Sequence, residues 1–134
     1  MTSQVKTVRW GLTILLLTYW LAMFVGTHVP RVPQELSLPG GDKGQHLVAY
    51  AGLAFLIAFR QSLGNVLGWK RIAAIFGVVA LYGVVDELTQ IPVGRTADLY
   101  DWFADVSGAV GGLLLLAALR TMLGRFRESR RGAA

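Results

Sequence analysis

The stretch from Ile72 to Gln90 reads IAAIFGVVALYGVVDELTQ, and the rest of the chain is interpreted around it. The part before Asp86 has no charged residue, and it lies in a helix predicted over 71–90, long enough to cross a hydrocarbon layer about 30 Å thick. Asp86 and Glu87 then follow one another at the end of this apolar run. Carboxylates are costly at the edge of hydrocarbon, so this pair predicts a functional site.

Composition favours a membrane protein. The chain has 134 residues, of which 54% are hydrophobic. So small a chain cannot hide that much apolar surface in one soluble core, whereas lipid can solvate it. Cysteine is absent from the sequence, which excludes disulfides and thiolate metal sites.

The apolar segments predict an all-α fold, an integral membrane four-helix bundle with one domain over 1–134. The helices are expected at about 10–29, 43–63, 71–90 and 101–123. Prolines and glycines at 30–41 separate the first two, and Pro92 to Gly94 ends the third. Asp42 is expected to cap the second helix, and the tail from Arg125 is expected to fray. A secretory signal peptide is the alternative for the first segment, but no Ala-x-Ala-like cleavage site follows it.

The basic residues are unevenly distributed among the predicted loops. Ten fall on the side shared by the two termini and the loop between helices two and three: Lys6, Arg9, Arg60, Lys70, Arg71, Arg120, Arg125, Arg127, Arg130 and Arg131. Three fall on the other side: Arg31, Lys43 and Arg95. This positive-inside asymmetry predicts a multi-pass protein of the cytoplasmic membrane with both termini cytoplasmic. It explains the net charge of +5 without a nucleic-acid partner and makes the lipid bilayer the expected partner.

Most of the acidic residues fall at the opposite, extracytoplasmic ends of helices two, three and four. They are Asp42, Asp86, Glu87, Asp98, Asp101 and Asp105. Helical spacing puts these acids and other polar residues on one face of each helix: Asp42 with His46 and Tyr50, Asp86 with Tyr82 and Gln90, and Asp98 with Asp101 and Asp105. The third face continues into Gly108 and Gly112, a spacing that lets helices approach closely. Polar faces on neighbouring helices are expected to turn inward.

Two interpretations of this cluster remain open. In the first it is a structural clamp, with Lys43 and Arg95 neutralising the carboxylates. In the second it is a pocket open to the extracytoplasmic side, favoured because six acids exceed the available cations. Candidate catalytic residues are Glu87, His46 and Asp86. Candidate substrate-binding residues are Asp42, Lys43, Tyr50, Gln90, Arg95, Asp98, Asp101 and Asp105. The cofactor is unknown, and a divalent cation held by Asp86, Asp98 and Asp101 is an open alternative.

These polar residues also carry a resemblance to a known family. The blocks, in order, are Asp42-Lys43-x-x-His46-x-x-x-Tyr50, Asp86-Glu87-x-x-Gln90, Arg95 with Asp98, and Asp101-Trp102 followed by Gly108 and Gly112. The chain resembles the VanZ-like membrane proteins from Asp42 to about Gly112. Asp105 stands where the family pattern has an asparagine. The resemblance implies a link to resistance against the glycopeptide teicoplanin, but no reaction.

Three functions are compatible with the sequence. The first is a protein that binds or modifies an envelope component, lipid-linked or glycopeptide, through the acidic pocket. The second is an enzyme at the membrane surface, a hydrolase or transferase with His46 or Glu87 as general acid or base. The third, a transporter or proton relay, is disfavoured because the opposite half of the helices offers no polar path. The sequence does not indicate the oligomeric state.

Overall fold

The fold is all-helical. A computed structural model describes residues 3–29, 39–64 and 66–132, and 88% of the structure is helix without any strand in these ranges. The helices are α1 (Ser3–Thr27), α2 (Gly41–Ser62), α3 (Trp69–Gln90) and α4 (Leu99–Gly132), and a 3-10 turn at Ile91–Val93 follows α3. The predicted proline-rich loop lies mostly in 30–38, outside the described residues.

Two helix ends differ from the sequence prediction. The cap of α2 is Gly40, without a side-chain hydrogen bond, and Asp42 lies inside the first turn, so the prediction that Asp42 caps the helix was wrong. The last helix begins at Leu99 and continues to Gly132, where a frayed tail was expected. Its final turns contain no proline and several residues of good helix propensity, which explains the continuation.

α2 lies at the centre of the arrangement and packs most extensively against α4. Glycines permit this approach: a Cβ on Gly108 or Gly112 would collide with the backbone carbonyl oxygens of Leu47 and Ala51. On its other side α2 meets α1, where the Tyr19 hydroxyl donates a hydrogen bond of 2.9 Å to the Ala49 carbonyl. Small residues therefore bring the backbones of neighbouring helices together, as in membrane bundles.

Within the described ranges, three helices are long and apolar enough to cross a membrane: α1, α3 with the turn that follows it, and α4. Between 6% and 28% of the residues in their most apolar windows are buried, so most of this apolar surface faces outward. An exposed apolar surface of this extent suits lipid rather than water. α2 is not among these three helices, and it has polar residues at both of its ends.

The Ala73-x-x-x-Gly77 spacing of α3 predicts a packing notch, and the structure shows none at Gly77. A Cβ on Gly77 would meet nothing within 4 Å, and both residues are exposed. The small residues of α3 that approach another helix include Gly83, where a Cβ would lie 2.8 Å from the Asp105 carboxylate.

One end of the bundle gathers the polar residues, and we call it the acidic end. It comprises the end of α1 at Thr27, the start of α2 at Asp42, the end of α3 from Asp86 to Gln90, and the segment 95–105. Gly94 turns the chain there with a φ of 83°, a conformation that glycine adopts without strain. This turn directs Arg95 back over the ends of α1 and α2.

Candidate functional site at the acidic end

The outer layer of the acidic end consists of ion pairs. The Arg95 guanidinium pairs with the Asp42 carboxylate and also donates a 2.9 Å hydrogen bond to the Thr27 carbonyl oxygen. The Lys43 ammonium lies 3.0 Å from both the Asp98 and the Asp101 carboxylates. For these three acids the arrangement is that of a clamp, and it ties α1, α2, α4 and the turn after α3 together.

Asp98 has a second role as the cap of α4. Its Oδ1 accepts a 2.8 Å hydrogen bond from the backbone N–H of Tyr100, and its carbonyl accepts from Asp101 and Trp102. The Tyr100 N–H, followed by the Lys43 ammonium, lowers the pKa of the Asp98 carboxyl below its ordinary value. Asp98 is thus held as a carboxylate in a structural position.

The inner layer begins with Asp86, which is fully buried. Its carboxylate accepts hydrogen bonds from the Thr27 hydroxyl at 3.1 Å, the Gln90 amide at 3.2 Å and the Tyr82 hydroxyl at 3.4 Å. The His28 Nδ1 atom lies 3.9 Å away. Neutral donors therefore contact both Asp86 oxygens, which fixes the orientation of its carboxylate.

The second part of the inner layer is a trio from three helices: His46 of α2, Glu87 of α3 and Asp105 of α4. The His46 Nδ1 atom lies 2.8 Å from the Asp105 Oδ1 and 3.9 Å from the Glu87 Oε1. The other Glu87 oxygen accepts a 2.7 Å hydrogen bond from the Asp98 backbone N–H. All three side chains are buried, and each retains a polar atom without a hydrogen-bond partner: His46 Nε2, Glu87 Oε1 and Asp105 Oδ2.

Charge is therefore unbalanced between the two layers. The two Lys and Arg side chains of the acidic end, Lys43 and Arg95, pair with outer acids. Within the described residues, no ion pair with lysine or arginine reaches Asp86, Glu87 or Asp105. Buried carboxylates without a cation are costly, so this layer needs protons, an imidazolium or a bound cation.

A cavity of about 360 Å³ opens beside the inner layer, between α3 and α4. Its wall is mostly apolar, and Glu87 and Asp98 are its acidic members; the remaining lining residues are Val84, Leu88, Ala97, Leu99 and Trp102. Leu88 and Leu99 are more than half exposed, so the cavity is reached from the outer surface of the bundle. Glu87 thus stands between this cavity and His46.

The predicted site residues divide between these environments. Tyr50 is fully buried, with its ring 6.3 Å from that of His46, and Gln90 is buried against Asp86.

The structure adds contacts that sequence reasoning missed. Thr27 bonds Asp86, and the Trp102 indole donates a 3.0 Å hydrogen bond to the Ala80 carbonyl. The signal for Thr27 was a polar residue at the very end of an apolar helix.

In the part of the chain that the structure describes, two trios of side chains have ligand atoms close enough to share a metal ion, within 4.8 Å of one another: Asp42, His46 and Asp101, and His46, Glu87 and Asp105. The expected set of Asp86, Asp98 and Asp101 does not form such a group among the described residues. The reason is that Asp98 and Asp101 are held by Lys43, whereas Asp86 is held by neutral donors.

The fold and the site define the class of protein: an all-helical chain, consistent with a membrane protein, that has buried carboxylates at one end of its helices. No family model matches the sequence, and neither the curated proteins nor the solved structures include a significantly similar one.

Proposed function

We propose that this chain is a multi-pass protein of the cytoplasmic membrane whose acidic end faces the extracytoplasmic side and binds an envelope component. The asymmetry of ten basic residues against three supports this orientation, because the excess marks the cytoplasmic side. In this arrangement α2 also crosses the membrane, packed against α1, α3 and α4.

The position of Glu87 is the observation that carries the proposal. One of its oxygens lies in a buried cluster that no lysine or arginine among the described residues neutralises, and the residue also lines an apolar cavity that opens outward. A ligand that fits both features has an apolar chain and a polar or cationic head. A lipid-linked envelope component has this chemistry, since its chain can occupy the cavity from the bilayer while its head meets Glu87.

The resemblance to the VanZ-like family agrees with this proposal and adds a phenotype. The residues that carry it are those of the acidic end, including Asp42, His46 and Glu87. A link to glycopeptide resistance, with teicoplanin as the reference compound, follows as a proposal from that resemblance.

Gene deletion and complementation test this function. Deleting the gene in its host is expected to increase sensitivity to teicoplanin or a related glycopeptide, and wild-type protein is expected to restore resistance. The Glu87→Gln protein should not restore it, because the amide keeps the volume of the side chain but removes its charge. Glu128→Gln removes a carboxylate from the opposite end of α4 and serves as the control. Unchanged sensitivity to every glycopeptide after deletion would refute the link to resistance.

A second candidate is an enzyme that acts on the same lipid-linked component. Its supporting observation is the hydrogen bond between His46 and Asp105, because a carboxylate that orients an imidazole is a common arrangement for general acid–base catalysis. Mass spectrometry of membrane lipids separates the two candidates. An enzyme predicts that a substrate lipid accumulates in the Glu87→Gln strain, whereas identical lipid profiles would leave binding as the function.

A further inference from the structure

We infer that His46, Glu87 and Asp105 form a binding site for a divalent metal cation of the class that accepts one imidazole and two carboxylates. This inference rests on the proposed function, because it names what the inner layer of the same site holds. The three residues come from α2, α3 and α4, so the ion would join three helices at the acidic end.

The ligand atoms of the trio lie close enough together to share such an ion, all within 4.8 Å of one another. Ligand atoms about 2.1 Å from a metal lie roughly 3.0 to 3.4 Å apart in octahedral or tetrahedral geometry. The His46 Nδ1 atom lies 2.8 Å from Asp105 and 3.9 Å from Glu87, so the first distance is slightly shorter and the second slightly longer than in a loaded site.

Unpartnered oxygens provide the independent evidence for a ligand. Glu87 Oε1 points at His46 but makes no hydrogen bond, and Asp105 Oδ2 also has none. Glu87 is 5% exposed and Asp105 is fully buried, so bulk water does not satisfy these atoms. A divalent cation at the His46 Nδ1 atom would replace its hydrogen bond to Asp105, coordinate one oxygen of each carboxylate and neutralise both charges at once.

The second trio, Asp42, His46 and Asp101, is a weaker candidate. Arg95 already pairs with Asp42, and Lys43 already pairs with Asp101. A metal ion there would have to displace both cations. In the inner trio no lysine or arginine competes among the described residues, so the two sites differ in charge although they share His46.

The donor set also selects the metal. Calcium and magnesium prefer oxygen ligands throughout, whereas a mixed imidazole and carboxylate set suits manganese, iron or zinc. Mn²⁺ is therefore the appropriate probe, because its binding and its nitrogen ligands are both visible by electron paramagnetic resonance.

The test uses the full chain in lipid nanodiscs, with any polyhistidine tag removed. Titration of the wild-type protein with Mn²⁺ should give one bound ion per chain, with magnetic coupling to an imidazole nitrogen. Glu87→Gln and Asp105→Asn should each weaken binding by at least about tenfold. Glu128→Gln is the control and should retain the ion, because Glu128 is exposed near the other end of α4 and lies outside the acidic end.

Three results would overturn the inference. They are the absence of stoichiometric Mn²⁺ binding by the wild-type protein, a bound ion without nitrogen coupling, and loss of the ion in Asp42→Asn but not in Glu87→Gln. The wild-type measurements decide the question even when a variant does not fold. These results can be told apart from failure of the proposed function. If Glu87→Gln loses resistance although the wild-type protein binds no metal, the proposed function stands and the metal site is refuted. If the wild-type protein binds metal but deletion gives no envelope phenotype, the proposed function alone is refuted.

Discussion

Replacement of Gly108 by alanine should disturb both the fold and the site. The new Cβ would overlap the Leu47 carbonyl oxygen and lie 3.0 Å from its carbon and 3.1 Å from the Ala51 nitrogen. These are backbone atoms in the middle of α2, so they cannot rotate away. The helices would have to separate by on the order of 1 Å, and overpacking of this kind costs about 1–3 kcal/mol.

The same displacement would act on the site three residues earlier in α4. His46 and Asp105 come from the two helices that would separate, and their 2.8 Å contact would lengthen beyond hydrogen-bonding distance. Gly108→Ala should therefore unfold at lower denaturant in mixed micelles and also lose the envelope phenotype. A loss of about 2 kcal/mol corresponds to a roughly 30-fold change in the folding equilibrium.

Gly111→Ala is the matched control, since a Cβ there would meet nothing within 4 Å. It makes the same chemical change one turn further along α4 and should be neutral or slightly stabilising, because alanine favours helix. Equal stability of the Gly108→Ala protein and the wild type, measured in the same lipid and detergent, would refute the close approach of α2 and α4.

Further predictions concern single contacts. Asp98→Asn should destabilise the protein at about pH 6 but much less near pH 3. The native pKa of Asp98 is lowered, so its carboxylate stabilises the fold above the ordinary pKa of about 3.9, and this contribution is lost as the pH falls. Thermal unfolding at pH 6 and pH 3 measures the loss of stability, and a loss that does not change with pH contradicts the pairing with Lys43. Tyr19→Phe should cost about 0.5–1.5 kcal/mol through the lost bond to Ala49, measured by unfolding in mixed micelles, and no change would contradict that bond. Trp102→Phe should remove the indole bond to α3 and weaken retention of a co-purified envelope lipid, read by native mass spectrometry, whereas unchanged retention would contradict a role of this wall of the cavity.

Helical periodicity predicted much of what lies on each helix. The spacing of His46 and Tyr50 placed both on one face of α2, and both are buried as a polar face turned inward requires. The glycines at 108 and 112 were expected to admit a neighbouring helix, and they contact α2. These features are local, because they depend on residues within a few turns of the same helix.

The sequence did not predict which side chains of different helices pair with one another. Lys43 and Arg95 were identified as the available cations. Neighbouring residues in the sequence do not indicate that Arg95 pairs with Asp42, or that Lys43 contacts two acids that lie 55 and 58 residues away. The choice depends on the turn at Gly94 and on how deeply each acid lies. For this reason only the structure shows that Lys43 and Arg95 pair with the outer acids, while no lysine or arginine of the described residues reaches the inner acids.

Asp105 illustrates the same limit. From the sequence it was one more acid on the face of α4, together with Asp98 and Asp101. In the structure these three residues have three different environments: Asp98 caps the helix, Asp101 pairs with Lys43, and Asp105 is buried against His46. A shared helical face predicts the side on which each side chain lies but not how deeply it is buried. The burial depth decides whether a carboxylate contacts an ammonium group or an imidazole.

We propose above all that the inner layer binds the envelope component and that the ion pairs of the outer layer hold the inner layer in place. The most direct test of this claim compares Glu87→Gln and Asp105→Asn with Asp42→Asn in the deletion strain, at matched amounts of protein in the membrane, with glycopeptide sensitivity as the readout. We predict that both inner variants behave like the deletion, while Asp42→Asn retains most of the resistance. Full resistance in the inner variants, or an equal loss in all three, would contradict the claim.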